Sequence, residues 1–282
     1  MPRSAKFVLP VVLLTLAGCV SVRAPAPAPT PPVPPAPASV AHDPKQDLGL
    51  LWVKHAAEYG AITRQAYRSA EAALPDFLGD TSWSAMPGQT DAESLPPAVI
   101  LDVDETVVSN VDFQLAFERP FTNRKLYEFY RQHPAIPVPG VVEFVAAARN
   151  AGVTVFFVTN RPCEFIDDNP DPCPQKDGVI HELESIGIST DEEHVMLADE
   201  NDWDRAKIRR RQFVARTHRV IMLFGDDLGD FVPCVRKKLY GPCTEAATKS
   251  SRARLVEEHA NYWGNGWYIL PGPMHGSWTS FR

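Results

Sequence analysis

No two cysteines in this chain are spaced Cys-x-x-Cys, no apolar run approaches the roughly 20 residues that cross a bilayer, and no internal repeat is visible. The first absence argues against a zinc ribbon or finger. The second argues against a membrane-spanning helix, and the third against a solenoid. A dense Lys/Arg patch with interleaved aromatics is also missing. The 28 basic residues are outnumbered by 35 acidic ones, a net charge of -7, so a nucleic-acid polymer is excluded as the main partner. Arg209, Arg210 and Arg211 make one short basic run, and on a helix they spread around its surface as a solvated face.

What is present begins with a processing signal. Arg3 and Lys6 precede an apolar stretch from Phe7 to Leu16, which ends in Leu16-Ala17-Gly18-Cys19. This resembles a bacterial lipobox, in which residues 1–18 are removed and Cys19 carries lipid; the alternative is a plain secretory signal with an incidental cysteine. Val20 after the cysteine resembles the version sent to the outer membrane, so a lipid-anchored, extracytoplasmic protein of a bacterial envelope is expected. Residues 19–44 are the expected tether, and 24–39 are almost wholly Ala and Pro, a composition that favours extended polyproline II. In an oxidising compartment, Cys163, Cys173, Cys234 and Cys243 group as two local disulfides, Cys163–Cys173 and Cys234–Cys243. Each closes a short loop, contributing about 2–3 kcal/mol in the chain-entropy picture. A zinc site is the rival reading.

Apolar residues from Leu48 to Ala70 recur at three- and four-residue steps, predicting one long amphipathic helix or two shorter ones over 46–74. Residues 75–97 are rich in Pro, Gly, Ser and Asp and predict mostly loop. Four short apolar runs follow, Ala98–Val103, Val153–Val158, His194–Leu197 and Arg219–Phe224, with helical patterns over Val141–Asn150, Lys176–Ile186 and Asp204–Arg216 between them. Strands alternating with helices predict an α/β, Rossmann-like core, a parallel sheet flanked by helices. The aromatic-rich insert near 107–139, with the N-terminal helical segment 45–97 contributing, is expected to form a small, mainly helical cap on a core spanning 98–282.

Chemistry concentrates at two strand ends. Asp102-Val103-Asp104-Glu105-Thr106 leaves the first strand, and Gly225-Asp226-Asp227-Leu228-Gly229-Asp230 leaves the last. Ligands of an open parallel sheet bind beyond the carboxyl ends of its strands, so both clusters are expected in one crevice. Carboxylates crowded there repel unless a cation neutralises them, and an all-oxygen donor set suits magnesium. Alone, either motif reads equally well as a helix cap or a turn. Thr159 and Asn160 leave the second strand at the same edge and suit phosphoryl oxygens, and Lys207 on the helix before the last strand adds a positive charge.

Asp102-x-Asp104-x-Thr106, Thr159, Lys207 and the Asp226/Asp230 cluster resemble, in order and spacing, the four motifs of the haloacid dehalogenase superfamily. More narrowly, "AVILDVDETVVSN", "VTNR", "GDDLGDF" and "GWYILPGPMHGSW" resemble the class C acid phosphatases, the bacterial lipoprotein e 5′-nucleotidase family, over roughly residues 46–282. The resemblance implies a phosphatase with Asp102 as nucleophile and Asp104 as general acid and base. It implies one Mg2+ held by Asp102, the Asp104 backbone carbonyl and Asp226, with Asp230 holding a water of the ion. Thr159, Asn160 and Lys207 take the phosphoryl oxygens. The implied substrate is a phosphomonoester, a nucleoside 5′-monophosphate first among them, and a homodimer is an admissible assembly. Phe113, His275 and Trp278 are the expected substrate contacts. Two departures bear on the pocket: Asp227 replaces the usual Asn, and Gly272-Pro273-Met274-His275-Gly276 stands where Asn-Pro-Met-Tyr-Gly is usual. A phosphotransferase using the same residues and a surface lipoprotein without catalysis are the competing readings.

Overall fold

The computed structural model describes residues 44–117, 120–166 and 169–281. The expected signal peptide, Cys19 and nearly all of the tether lie outside the described residues. Two helices open the described chain, α1 (Pro44–His55) and α2 (Ala57–Gly79). On α2, Tyr59, Thr63, Tyr67, Ala70, Leu74 and Phe77 are buried, a stripe at the three- and four-residue steps of one helix face. Tyr67 stacks on Phe224 at 5.5 Å and meets Phe144 at 5.8 Å, which fastens the helix to the sheet. The loop expected from residue 75 starts later, because α2 runs through Pro75 to Gly79. Pro75 is on the exposed side, where a carbonyl left unpaired by its ring is open to solvent, while Leu74 and Phe77 keep their burial.

Five parallel strands form one sheet: β1 (Pro97–Leu101), β2 (Thr154–Pro162), β3 (Val195–Ala198), β4 (Arg219–Gly225) and β5 (Trp267–Ile269), in the order β3-β2-β1-β4-β5. Side chains alternate across the pleat, so Val99 and Leu101 enter one core while Ala98 and Ile100 enter the other. Both faces are covered, which is why these strands read as unbroken apolar runs. From β1 the chain winds outward through β2 and β3, then returns to place β4 on the other side of β1. The strand order therefore reverses between β1 and β4, and the crevice at such a point is where ligands of these sheets bind.

The insert contains α3 (Val111–Ala116) and α4 (Asn123–Tyr130), with Phe113 surrounded by Phe117, Phe121 and Phe129 at ring distances of 4.9–6.0 Å. Helix α1 lies against α3. The remaining helices are α5 (Val141–Asn150), α6 (Pro174–Ser185), α7 (Ile208–Ala215) and α8 (Lys249–Glu258). Cys163 is bonded to Cys173, and Cys234 to Cys243. No described helix is long and apolar enough to cross a membrane.

Candidate active site

Asp102 is the first residue past β1, and its backbone N–H donates to the carbonyl of Phe224 on β4 at 3.0 Å. That bond draws the ends of β1 and β4 together, so Asp102 and Asp226 emerge side by side. One oxygen each from Asp102, Asp226 and Asp230 lies within 4.8 Å of the others. Two glycines make the approach possible. A Cβ on Gly225 would sit 2.3 Å from the Asp230 carboxylate, and one on Gly272 would sit 2.3 Å from Oδ2 of Asp226. Between Asp102 and Thr106 the chain turns sharply. The Val103 carbonyl accepts from the N–H groups of Val107 and Val108, and Glu105 takes a left-handed φ of 63°.

Lys207 is 4% exposed at the N-cap of α7, and its ammonium bridges Oδ1 of Asp102 and, at 2.6 Å, Oδ1 of Asp230. Asp226 accepts no hydrogen bond from any described residue, so the single ammonium leaves the cluster under-neutralised. Burial raises the Asp102 carboxyl to about 7; the Lys207 charge opposes this, and Asp230 and Asp104 add to it. Burial, Asp230 and Asp102 push the Asp226 carboxyl well above the carboxylate range. Three converging oxygens with suppressed ionisation and one ammonium in direct contact fit a hard divalent ion.

Asp104 faces different partners. The Arg161 guanidinium grips it with Nε at 3.0 Å and Nη2 at 2.8 Å from Oδ1. The Asn110 amide donates to Oδ1 at 2.7 Å, and the Thr159 hydroxyl donates to Oδ2 at 3.2 Å. Burial alone would raise this carboxyl, but Arg161 and Asn110 prevail and hold it at about 2. The far edge of Arg161 clasps Glu182 of α6 at 2.5 and 3.0 Å, so a single buried guanidinium serves two carboxylates.

The solvated reading of Arg209–Arg211 holds for Arg209, which is exposed, and is corrected for the other two. Arg210 and Arg211 are 0% and 1% exposed. Arg210 donates to the Thr159 carbonyl and, at 2.7 Å, to Oδ1 of Asn160. Arg211 donates to the carbonyls of Gly229, Asp230 and Phe231 at 2.5–3.2 Å. Two arginines thus clamp the end of β2, which carries Thr159, and the turn that carries Asp230. The spacing carries a signal: Arg210 lies one turn beyond Lys207. Arg161 has its partner Glu182 twenty-one positions away, so no local signal in the sequence pairs them.

Asp227 has a structural explanation. Its Oδ1 accepts from the N–H of Gly229 at 2.9 Å and the hydroxyl of Ser277 at 2.8 Å, and its Oδ2 accepts from the N–H of Ser277 at 2.5 Å. These bonds pin the C-terminal segment beside the acidic loop and bring His275 and Gly276 to the cleft. His275 has Nε2 3.4 Å from Oε1 of Glu105. Burial would lower its pKa, but Glu105 raises it, with Asp104 and Asp102 adding to the effect. The cleft is open, about 830 Å³, and Asp102, Asp104, Asn160, Lys207, Asp226, Asp230 and His275 all border it. Its apolar wall comes from Phe117, Phe121 and Leu126 of the insert. Phe113 lies behind this wall, 1% exposed. The Trp278 ring N–H is turned to the carbonyls of Gly272 and His275, at 3.0 and 3.1 Å.

A parallel sheet whose reversal point gathers aspartates around a buried lysine is an arrangement suited to phosphoryl transfer. Residues 37–278 match the model of HAD superfamily subfamily IIIB (acid phosphatase), and the chain belongs to that family. Two solved structures are similar to it. The class C acid phosphatase from Bacillus anthracis is 26% identical with a TM-score of 0.65, and the match covers 83% of this chain and 86% of that one. The same Bacillus anthracis enzyme with tungstate bound is 25% identical with a TM-score of 0.64, over the same shares of both chains.

Proposed function

We propose that this acid phosphatase hydrolyses nucleoside 5′-monophosphates and related phosphomonoesters with magnesium bound, through an aspartyl-phosphate on Asp102, while anchored by a lipid on Cys19. The observation that carries the reading is the meeting of Asp102, Asp226 and Asp230 with Lys207 at one strand-order reversal. Asp102, Asp226 and the backbone carbonyl of Asp104 would hold the ion, with Asp230 beside it. When bound, magnesium supplies positive charge that neutralises the carboxylates and the phosphoryl oxygens.

In the first half-reaction an oxygen of Asp102 attacks phosphorus, the bond to the leaving oxygen breaks, and Asp104 delivers a proton to that oxygen. In the second, Asp104 takes a proton from water as the water attacks phosphorus, which frees phosphate and restores Asp102. Lys207 and Thr159 hold the phosphoryl oxygens as charge spreads over them. Because Arg161 keeps Asp104 at about 2, the free carboxylate carries no proton at mildly acidic pH. A phosphomonoester, whose second pKa is about 6, arrives below that pH with a proton that Asp104 can relay. This couples activity to acidic conditions. Tungstate, bound by the similar Bacillus anthracis enzyme, is a tetrahedral oxyanion like phosphate and supports an oxyanion site here. The aromatic wall of Phe117 and Phe121 suits a planar nucleobase.

A phosphate-release assay across nucleoside monophosphates and sugar phosphates tests this reading directly. Release should be abolished by EDTA, restored by Mg2+, and faster for the nucleotides; turnover indifferent to chelation removes the metal assignment. A second check reads stability. In the folded, metal-free chain Asp102 and Asp226 bind protons more tightly than in the unfolded chain, where carboxyls titrate near 3.9. Their contribution to stability therefore falls as pH rises from about 4 to about 7. An ion that displaces those protons relieves the loss, so Mg2+ should raise the melting temperature more at pH 7 than at about pH 4.5. Equal shifts at both values contradict carboxylate ligation.

A further inference from the structure

We propose that the cleft contains a second anion subsite, built from Arg205 and Arg236 with Lys238 close behind. It binds a further phosphate on the alcohol side of the substrate. This deepens the phosphatase reading and rests on it.

The phosphoryl group that is hydrolysed already has Lys207 and the carboxylate-held cation. Arg205 and Arg236 border the same cleft as Asp102 and Asp226, and both also border a narrow adjoining recess that includes Lys238 and Tyr240. Arg205 is half-buried and has no ion-pair or hydrogen-bond partner among the described residues. Arg236 comes no nearer to a carboxylate than 4.0 Å, at Oδ1 of Asp227. That oxygen already accepts from Gly229 and Ser277. Both guanidinium groups therefore retain donors facing open cleft.

The loop carrying Arg236 is held in place. Cys234 and Cys243 close a ring around Arg236-Lys237-Lys238, and the Arg236 carbonyl accepts from the N–H of Ala247 at 3.0 Å. Lys237 and Lys238 rest on the rings of Phe281 and Tyr240 at 5.4 and 5.1 Å. A planar guanidinium takes a phosphate with two parallel hydrogen bonds, and two of them beside a lysine match a doubly charged group. Three cations besides Lys207 border this rim in a chain of net charge -7. General steering of anions would use the same charges, but it treats all phosphomonoesters alike. A subsite favours only those whose alcohol carries a second anion.

The test compares kcat/KM for two matched pairs with the full chain and Mg2+: adenosine 3′,5′-bisphosphate against adenosine 5′-monophosphate, and fructose 1,6-bisphosphate against fructose 6-phosphate. At least one pair should favour the bisphosphate by about tenfold or more, the size expected from a charge-assisted hydrogen bond. Arg205→Gln should reduce that preference, and Arg205→Gln with Arg236→Gln should remove it while the circular dichroism spectrum is retained. Calorimetry on Asp102→Asn reads the same preference as tighter bisphosphate binding, without needing turnover. Equal treatment of both members of both pairs, or variants that slow mono- and bisphosphates by one common factor, overturns the subsite. Absence of phosphate release from every wild-type substrate sinks the phosphatase reading instead, and the calorimetric comparison still decides the subsite.

Discussion

Asp102→Asn should fold normally and lose phosphate release by roughly 10⁴-fold or more, since removing a nucleophile from a cooperating catalytic set costs that much or more elsewhere. The amide keeps the shape of the side chain and cannot form the acyl-phosphate. Lys207 retains Asp230 at 2.6 Å, so the buried ammonium is not orphaned. The substitution also removes a carboxyl that burial raises to about 7, so the metal-free protein should melt no earlier than wild type near neutral pH. Stabilisation by Mg2+ should shrink, because one of three converging oxygens has become a neutral acceptor or donor. Turnover within tenfold of wild type would remove Asp102 as nucleophile. Unchanged metal stabilisation would remove it as a ligand.

Lys207→Met carries the second large effect, on stability as well as rate. Its ammonium is the shared partner of Asp102 and Asp230, and all three side chains are buried. Withdrawing one partner from a buried ion pair typically costs about 3–5 kcal/mol, because the remaining charge has lost both water and its counterion. For a domain of this size that corresponds to a melting temperature lower by roughly 10 °C. The two carboxylates then have each other as neighbours and take up protons more readily. The loss should accordingly be larger at pH 8 than at pH 5, where protonation substitutes for the missing cation. Added Mg2+ should recover part of the stability but not the turnover, since the phosphoryl oxygens still lack the ammonium. Equal stability of variant and wild type at pH 8 would contradict the buried-pair account.

Much of this architecture was legible because the central strands are covered on both faces. Burial there forces continuous runs such as Val99-Ile100-Leu101 and Val220-Ile221-Met222, and the residues just past them must fall on the ligand-binding edge. β5 escaped notice because it is three residues long and follows a glycine-rich turn. Helix α8 escaped because none of its residues is buried; it is defined by a reciprocal cap between Thr248 and Ser251 rather than by an apolar stripe. The arginines were harder for a physical reason. A guanidinium on backbone carbonyls, as at Arg211, has no acidic partner in the sequence to betray it. Arg161 shows no partner in the sequence until the fold brings Glu182 to its other edge. The aspartates announced themselves by clustering, whereas the groups that restrain them are dispersed along the chain.

The fastening of Ser277 to Asp227 has a temporal consequence. Synthesis proceeds from the N-terminus, so Asp102, Thr159, Lys207 and Asp226 all exist before residues 275–279, which complete one bank of the cleft. A nascent chain can collect its reactive groups while the place for the alcohol remains half-built. Competence to discriminate among esters thus arrives late, when the final turn docks.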